Sequence, residues 1–177
     1  MEDRRTGMGI EHAATDPSKI ELALELLREE FPEGVLETSF PQGDAMAVVQ
    51  PQSLTKVMEF LKNDPRLQFS MLVDITAVDH LGRSPRFDIV YHLLSIPFKR
   101  RLRIKVRIAD GEPVVESLTP LWGAADWLER EVWDMYGVRF AGHPDLRRIL
   151  LYEEFQGHPL RKDYPIRKRQ PLIGPKN

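Results

Sequence analysis

The chain of 177 residues is 42% apolar, enough for one sizeable core, and its net charge of −2 argues against a surface that binds nucleic acid or anionic lipid as a whole. Cysteine is absent, which removes disulfides, thiolate nucleophiles, cysteine zinc sites and ordinary iron–sulfur ligation, so any such cluster must sit on another chain. No run approaches the ~20 apolar residues that span a bilayer, and residues 1–16 lack both the apolar stretch of a secretory signal and the acid-free composition of a mitochondrial presequence.

Residues 1–15 read as a mobile arm, and 16–137 as a single α+β domain. Asp16 followed by Pro17 is a helix start, a capping acceptor before a residue with its φ preset. Ile20, Leu24, Leu27 and Phe31 then share one helical face until Pro32 and Gly34 end it. Two short extended runs, 35–40 and 45–50, flank the turn formers Pro41-Gln42-Gly43-Asp44 and predict a hairpin. A second helix from Ser53 buries Leu54, Val57, Met58 and Leu61 and stops at Asn63-Asp64-Pro65.

Three strands follow as a meander, at 69–78, 86–95 and 99–108. In the third, Leu102, Ile104, Val106 and Ile108 alternate with Arg101, Arg103, Lys105 and Arg107, so one face is core and the other a row of cations. That row is either a solvated face or protected edge, or a landing surface for an acidic partner. A short strand at 114–117 leads to Thr119-Pro120, which predicts a third helix over 119–137 with Leu121, Ala125, Leu128, Val132 and Met135 inward and Gly137 as terminator.

Beside that stripe, Asp126, Glu129, Trp133 and Tyr136 lie on one flank and Trp127, Glu131 and Asp134 on the other. Acids placed so on an amphipathic helix read as its wet side, with Arg130 and Asp134 spaced to pair locally, and the aromatics as core margin or interface anchors. Beyond Val138 the pattern loosens into a docking segment and tail over 138–177, carrying two Gly-His-Pro turns at Gly142 and Gly157. The stretch after Pro159 holds Arg161, Lys162, Arg167, Lys168, Arg169 and Lys176 against the acid Asp163, interrupted by prolines, so it is either disordered or laid along another protein.

Chemistry has little positive support. His80, His92, His143 and His158 lack the i,i+4 pairing of a helical zinc motif, Ser39, Ser70, Ser95 and Thr76 lack a nucleophile context, and no glycine-rich phosphate loop occurs.

Residues 129–138 (ERE-VWDMYGV), then Phe140 with 142–150 (GHPDLRRIL), Phe155, Gly157 and 159–165 (PLRKDYP), resemble the signature of the 30 kDa subunit, or C subunit, of respiratory complex I, the proton-pumping NADH:quinone oxidoreductase. The likeness extends upstream through 74–79 (DITAVD), Phe87, Val90-Tyr91, Leu94-Ser95 and 124–127 (AADW), and is strong over 67–165; Trp133 stands where Tyr or Phe is usual before the signature Asp.

The resemblance implies an α+β fold of helix, two strands, helix and a strand meander forming one sheet, then the signature helix and an extended tail. It implies a subunit with no catalytic residue, cofactor or metal of its own, flavin mononucleotide and iron–sulfur clusters being carried by partner subunits. Its place would be the peripheral arm on the cytoplasmic face of the bacterial inner membrane, on subunits D and B. Docking is then expected from Glu129, Glu131, Trp133, Asp134, Tyr136, His143, Pro144, Arg147, Arg148, Gly157, Pro159, Arg161, Lys162, Asp163 and Tyr164. The equivalent subunit of a membrane-bound hydrogenase or ferredoxin-linked complex, a metal hydrolase and an RNA-binding module are the alternatives.

Overall fold

A computed structural model describes residues 17–111 and 113–171; the expected arm at 1–15, the Asp16 cap and the Ile20 side chain lie outside what is described. Helix α1 (Pro17–Glu30) buries Ala23, Leu24, Leu26 and Leu27, and Phe31 packs edge-on against Phe60. Strands β1 (Val35–Ser39) and β2 (Ala45–Val49) form the expected antiparallel hairpin, and α2 (Leu54–Asn63) buries Leu54, Val57, Met58 and Leu61.

Then come β3 (Met71–Asp79), β4 (Phe87–Ser95) and β5 (Arg100–Ile108), an antiparallel meander. β5 also pairs in parallel with β2, giving one five-stranded mixed sheet of order β1-β2-β5-β4-β3. The cationic strand is therefore the centre of the sheet, and the protected-edge reading of its row does not hold. Its hydrogen bonds are satisfied on both sides, which an edge cannot offer.

The three helices share one face of the sheet. Their inward residues form one cluster with Ile75, Phe87, Ile89, Tyr91, Leu93, Leu102, Ile104 and Val106. Met46, Val48 and Val90 are buried on the opposite face, outside that cluster.

After β6 (Val114–Glu116), the third helix, α3 (Ala125–Tyr136), starts six residues later than Thr119. Thr119-Pro120 instead forms part of a tight turn in which the amides of Leu121 and Trp122 both reach the Leu118 carbonyl. The Trp122 indole is buried there, its Nε1 donating to the Ser70 carbonyl at 3.0 Å, and this tertiary contact outweighs the local capping signal. Gly137 does terminate α3, left-handed at φ 77°, its amide 2.8 Å from the Trp133 carbonyl. Short β7 (Arg139–Ala141), which the loose sequence pattern hides, pairs in parallel with β6 and buries Phe140 beside Val138.

Candidate functional site

The signature residues converge on the end of α3 and on the irregular strand-free segment 142–171, the strap, which folds back over it. A helix leaves its last four carbonyls without intrahelical partners. Here all four are met: Trp133 by the Gly137 amide, Asp134 by His158 Nδ1 at 2.9 Å, Met135 by the Leu160 amide at 3.0 Å, and Tyr136 by Arg161 Nη1 at 3.5 Å. His158 lies directly over Gly137; a Cβ there would stand 2.7 Å from the imidazole Cδ2. The strap is thus the C-terminal cap of the helix, and basic groups sit where the helix dipole favours them.

Asp134 fixes the preceding part of the strap from below. It is fully buried, one carboxylate oxygen 2.6 Å from Arg148 Nη1 and the other accepting the amides of Ile149, Leu150 and Leu151 at 3.1, 2.9 and 2.9 Å. Burial works against its charge, but the Leu151 amide, Arg148 and the amides of 149 and 150 outweigh it and hold its carboxyl below the usual range. Arg148 continues outward to the carbonyls of Phe155 and Gly157. Arg130 does not pair with Asp134; its Nε and Nη2 donate to the carbonyls of Arg147 and Arg148 at 3.2 and 3.1 Å.

The wet-side reading fails for Glu129 as well. It is fully buried and accepts the Ser117 hydroxyl at 2.7 Å and the Leu118 amide at 2.6 Å, tying the turn before α3 to its middle. Burial raises its carboxyl above the usual range against those two bonds. His143 is equally enclosed: its Nδ1 accepts the Asp145 amide at 3.0 Å, so Nε2 carries the proton and donates to the Asp126 carbonyl at 3.1 Å. Each Gly-His-Pro turn therefore plugs its imidazole onto α3, one near its start and one at its end.

A second clasp, which no local motif announced, is built on Arg86. Its fork grips Asp79 at 2.8 and 2.7 Å while Nη1 reaches Asp110 at 2.7 Å and Asp163 at 3.0 Å. Arg161 bridges Asp110 and Asp163 from the strap, and the Lys162 amide donates to Asp79 at 2.7 Å. Both guanidiniums lie over the Phe87 ring, 5.0 and 5.1 Å from its centroid. Tyr164 stacks on Phe155 and closes against Gly157.

Of the docking residues expected from the sequence, Glu129, Asp134, His143 and Arg148 thus face inward, with partners on their own chain. Trp133, Tyr136, Pro159, Arg161 and Tyr164 are half-buried, while Glu131, Pro144, Arg147, Gly157, Lys162 and Asp163 are exposed. Apolar groups also point outward on the same segments: Trp127 and Leu150, each 61% exposed, with Tyr152, Leu160 and Ile166. Among the described residues, no group of three or more histidines and acids is placed to hold a metal ion. Nor is any helix among them long and apolar enough to cross a membrane.

Residues 47–170, which contain the whole of α3 and nearly all of the described strap, match the family described as respiratory-chain NADH dehydrogenase, 30 Kd subunit. The chain belongs to this family. The C subunit of the NADH-quinone oxidoreductase of Trichlorobacter lovleyi is 47% identical over 155 residues, covering 86% of this chain and 94% of that one. Its counterpart in Paramagnetospirillum magneticum is 49% identical over 143 residues, 80% of this chain and 71% of that one. A solved trypsin-resistant fragment of Nqo5 superposes with a TM-score of 0.63 at 31% identity, covering 72% of this chain and 99% of the fragment. A chain of the membrane-bound sulfane sulfur reductase, an archaeal respiratory membrane complex, reaches 0.70 over 84% of this chain and 86% of that one at 22% identity, which shows the shared fold. The resemblance read from residues 67–165 and its respiratory-chain setting are thereby borne out.

Proposed function

We propose that this chain is the non-catalytic 30 kDa subunit of a proton-translocating NADH:quinone oxidoreductase. It is placed in the peripheral arm at the cytoplasmic face of the membrane. There it holds subunits D and B, which carry the quinone headgroup site and the terminal cluster, in fixed geometry while electrons pass from NADH to quinone. Flavin mononucleotide and the iron–sulfur clusters belong to the partner subunits.

The observation that carries this reading is the inward use of the signature's polar groups. Asp134, His143, His158 and Arg148 are occupied in holding the strap and Glu129 in holding the turn before α3, so they offer no free base or nucleophile to a substrate. The strap presents Leu150, Tyr152 and Leu160 outward, and Trp127 on α3 is exposed as well. An irregular surface fixed before contact loses less conformational entropy on binding than a floppy one, which suits a scaffold.

A tagged chain purified from gently solubilised membranes tests it. Recovery of flavin, cluster and quinone-site subunits in equal amounts is expected, and Glu131→Lys with Leu150→Asp should lower that recovery without unfolding the isolated chain. A hydrogenase large subunit in their place would move the chain to the related complex, and a chain recovered alone would end the scaffold reading.

A further inference from the structure

The five-stranded sheet has a second face, away from the helices. Along the centre of that face β5 sets Arg101, Arg103, Lys105 and Arg107 in a line, about 6.6–6.8 Å apart. The pairing places Met46 and Val48 on one side of the line, opposite Arg103 and Lys105. On the other side Asp88, Val90, His92 and Leu94 stand opposite Arg107, Lys105, Arg103 and Arg101. Val48 and Val90 are buried although none of the described helices lies on this face, and Lys105 stands between them, paired with both, where its aliphatic stem is placed to lie over them.

The charges on this line are only partly matched among the described residues. Arg103 meets Asp44 at 3.3 Å and Arg107 meets Glu37 at 3.0 Å, both acids well exposed. Arg107 Nε is buried with no acceptor, and Arg101 and Lys105 have no ion-pair or hydrogen-bond partner among the described residues. At the Arg101 end the line opens into a pocket of about 210 Å³ walled by Asp44, Ala45, His92, Arg101, Leu102 and Arg103.

We infer that this open sheet face is a docking surface for an acidic, amphipathic segment of a partner protein, whose carboxylates run along the β5 cations and end in the pocket beside His92. Carboxylates at alternate positions of an extended chain, or four apart on a helix, repeat at about 6–7 Å and match the line. Apolar margins at Met46 and Leu94 and outward Met71, Val73 and Val78 on β3 favour a protein over nucleic acid, for which the face has no aromatic stacking set. The acids Asp44, Asp74 and Asp88 set among the cations weigh against an anionic membrane and suit a partner with placed charges.

Two measurements decide it. In the isolated full-length chain, amide NMR shifts on adding poly-glutamate should centre on 46–48, 90–94 and 101–107, and Arg101→Glu with Lys105→Glu should weaken binding about tenfold or more in a chain whose amide spectrum remains that of the folded domain. Shifts confined to the basic stretch after Pro165 would overturn the inference, as would equal sedimentation of wild type and double variant with phosphatidylglycerol vesicles alongside no response to poly-glutamate. In the complex recovered with the tagged chain, carbodiimide should join Lys105 to a carboxylate of another subunit. That second arm rests on the scaffold reading: a chain recovered alone fails that reading, whereas one recovered with partners and with Lys105 as reactive as in the free chain fails this one.

Discussion

Asp134 and Arg148 meet at 2.6 Å beneath the strap, and the same carboxylate gathers three consecutive backbone amides with its other oxygen. A single side chain on α3 thereby sets the path of the chain from Arg148 to Leu151. Asp134→Asn keeps the shape but removes the charge that balances a guanidinium only 12% exposed. Loss of one partner of a buried pair costs about 3–5 kcal/mol, so the variant should unfold at distinctly lower urea and expose the strap to protease.

The Arg86 clasp predicts an acid limb of stability. Arg86 holds the carboxyls of Asp79, Asp110 and Asp163 below the usual carboxylate range. A group whose folded pKa is depressed stabilises the fold above its unfolded value and loses that contribution as pH falls through the folded one. Unfolding free energy should therefore fall with acidification below about pH 4, and Arg86→Met should flatten that limb while lowering stability at neutral pH. Equilibrium urea titrations from neutral pH down through the acid limb check both.

Glu129 has the opposite sign. Its carboxyl is raised by burial, so its penalty appears as pH rises through the interval above the ordinary value of about 4.3. Glu129→Gln can still accept the Leu118 amide and pair with the Ser117 hydroxyl, and should match or exceed the wild type at neutral pH. Glu129→Leu leaves that amide without an acceptor in the core and should cost about 1–3 kcal/mol. Thermal unfolding of the two variants separates charge from hydrogen bonding.

Gly137→Ala combines a left-handed backbone with a Cβ driven into His158. The backbone alone costs about 1–2 kcal/mol. Displacing His158 should in addition open the Asp134 carbonyl, seen as faster proteolysis of the strap relative to the helical core.

Much of the fold was legible because it rests on short periods. The alternation in β5, the 3–4 spacing in α2 and the turn at Pro41-Gly43 each point to the element found. The parallel join of β2 to β5 was not, since it depends on residues far apart in the chain that carry no local mark. Glu129 and Asp134 were misread for a related reason: acids on an amphipathic helix default to solvent, and only the turn at Ser117-Leu118 for the one and the strap for the other, both without periodicity, show what engages them. Arg86 and Asp110 stood outside every motif, yet their clasp on Asp163 shows how the described part of a proline-rich tail, which composition assigns to disorder or to a neighbour, is held to its own domain.

The same clasp changes what truncation means. Cutting after Pro159 removes Arg161, Lys162 and Asp163, so it should destabilise the domain itself and confuse lost docking with lost folding. Glu131 is exposed, and Glu131→Lys should leave the stability of the isolated chain nearly unchanged, within about 0.5 kcal/mol by thermal unfolding. It is the cleaner probe of assembly.

The most direct measurement is hydrogen exchange at the amides of Ile149, Leu150 and Leu151 in the isolated full-length chain. Slow exchange that collapses in Asp134→Asn is the predicted result, the mark of a strap held by its own helix before any partner arrives. Exchange at unprotected rates in the free chain, slowing only within the assembled complex, would contradict it and make the partner the agent that orders the strap.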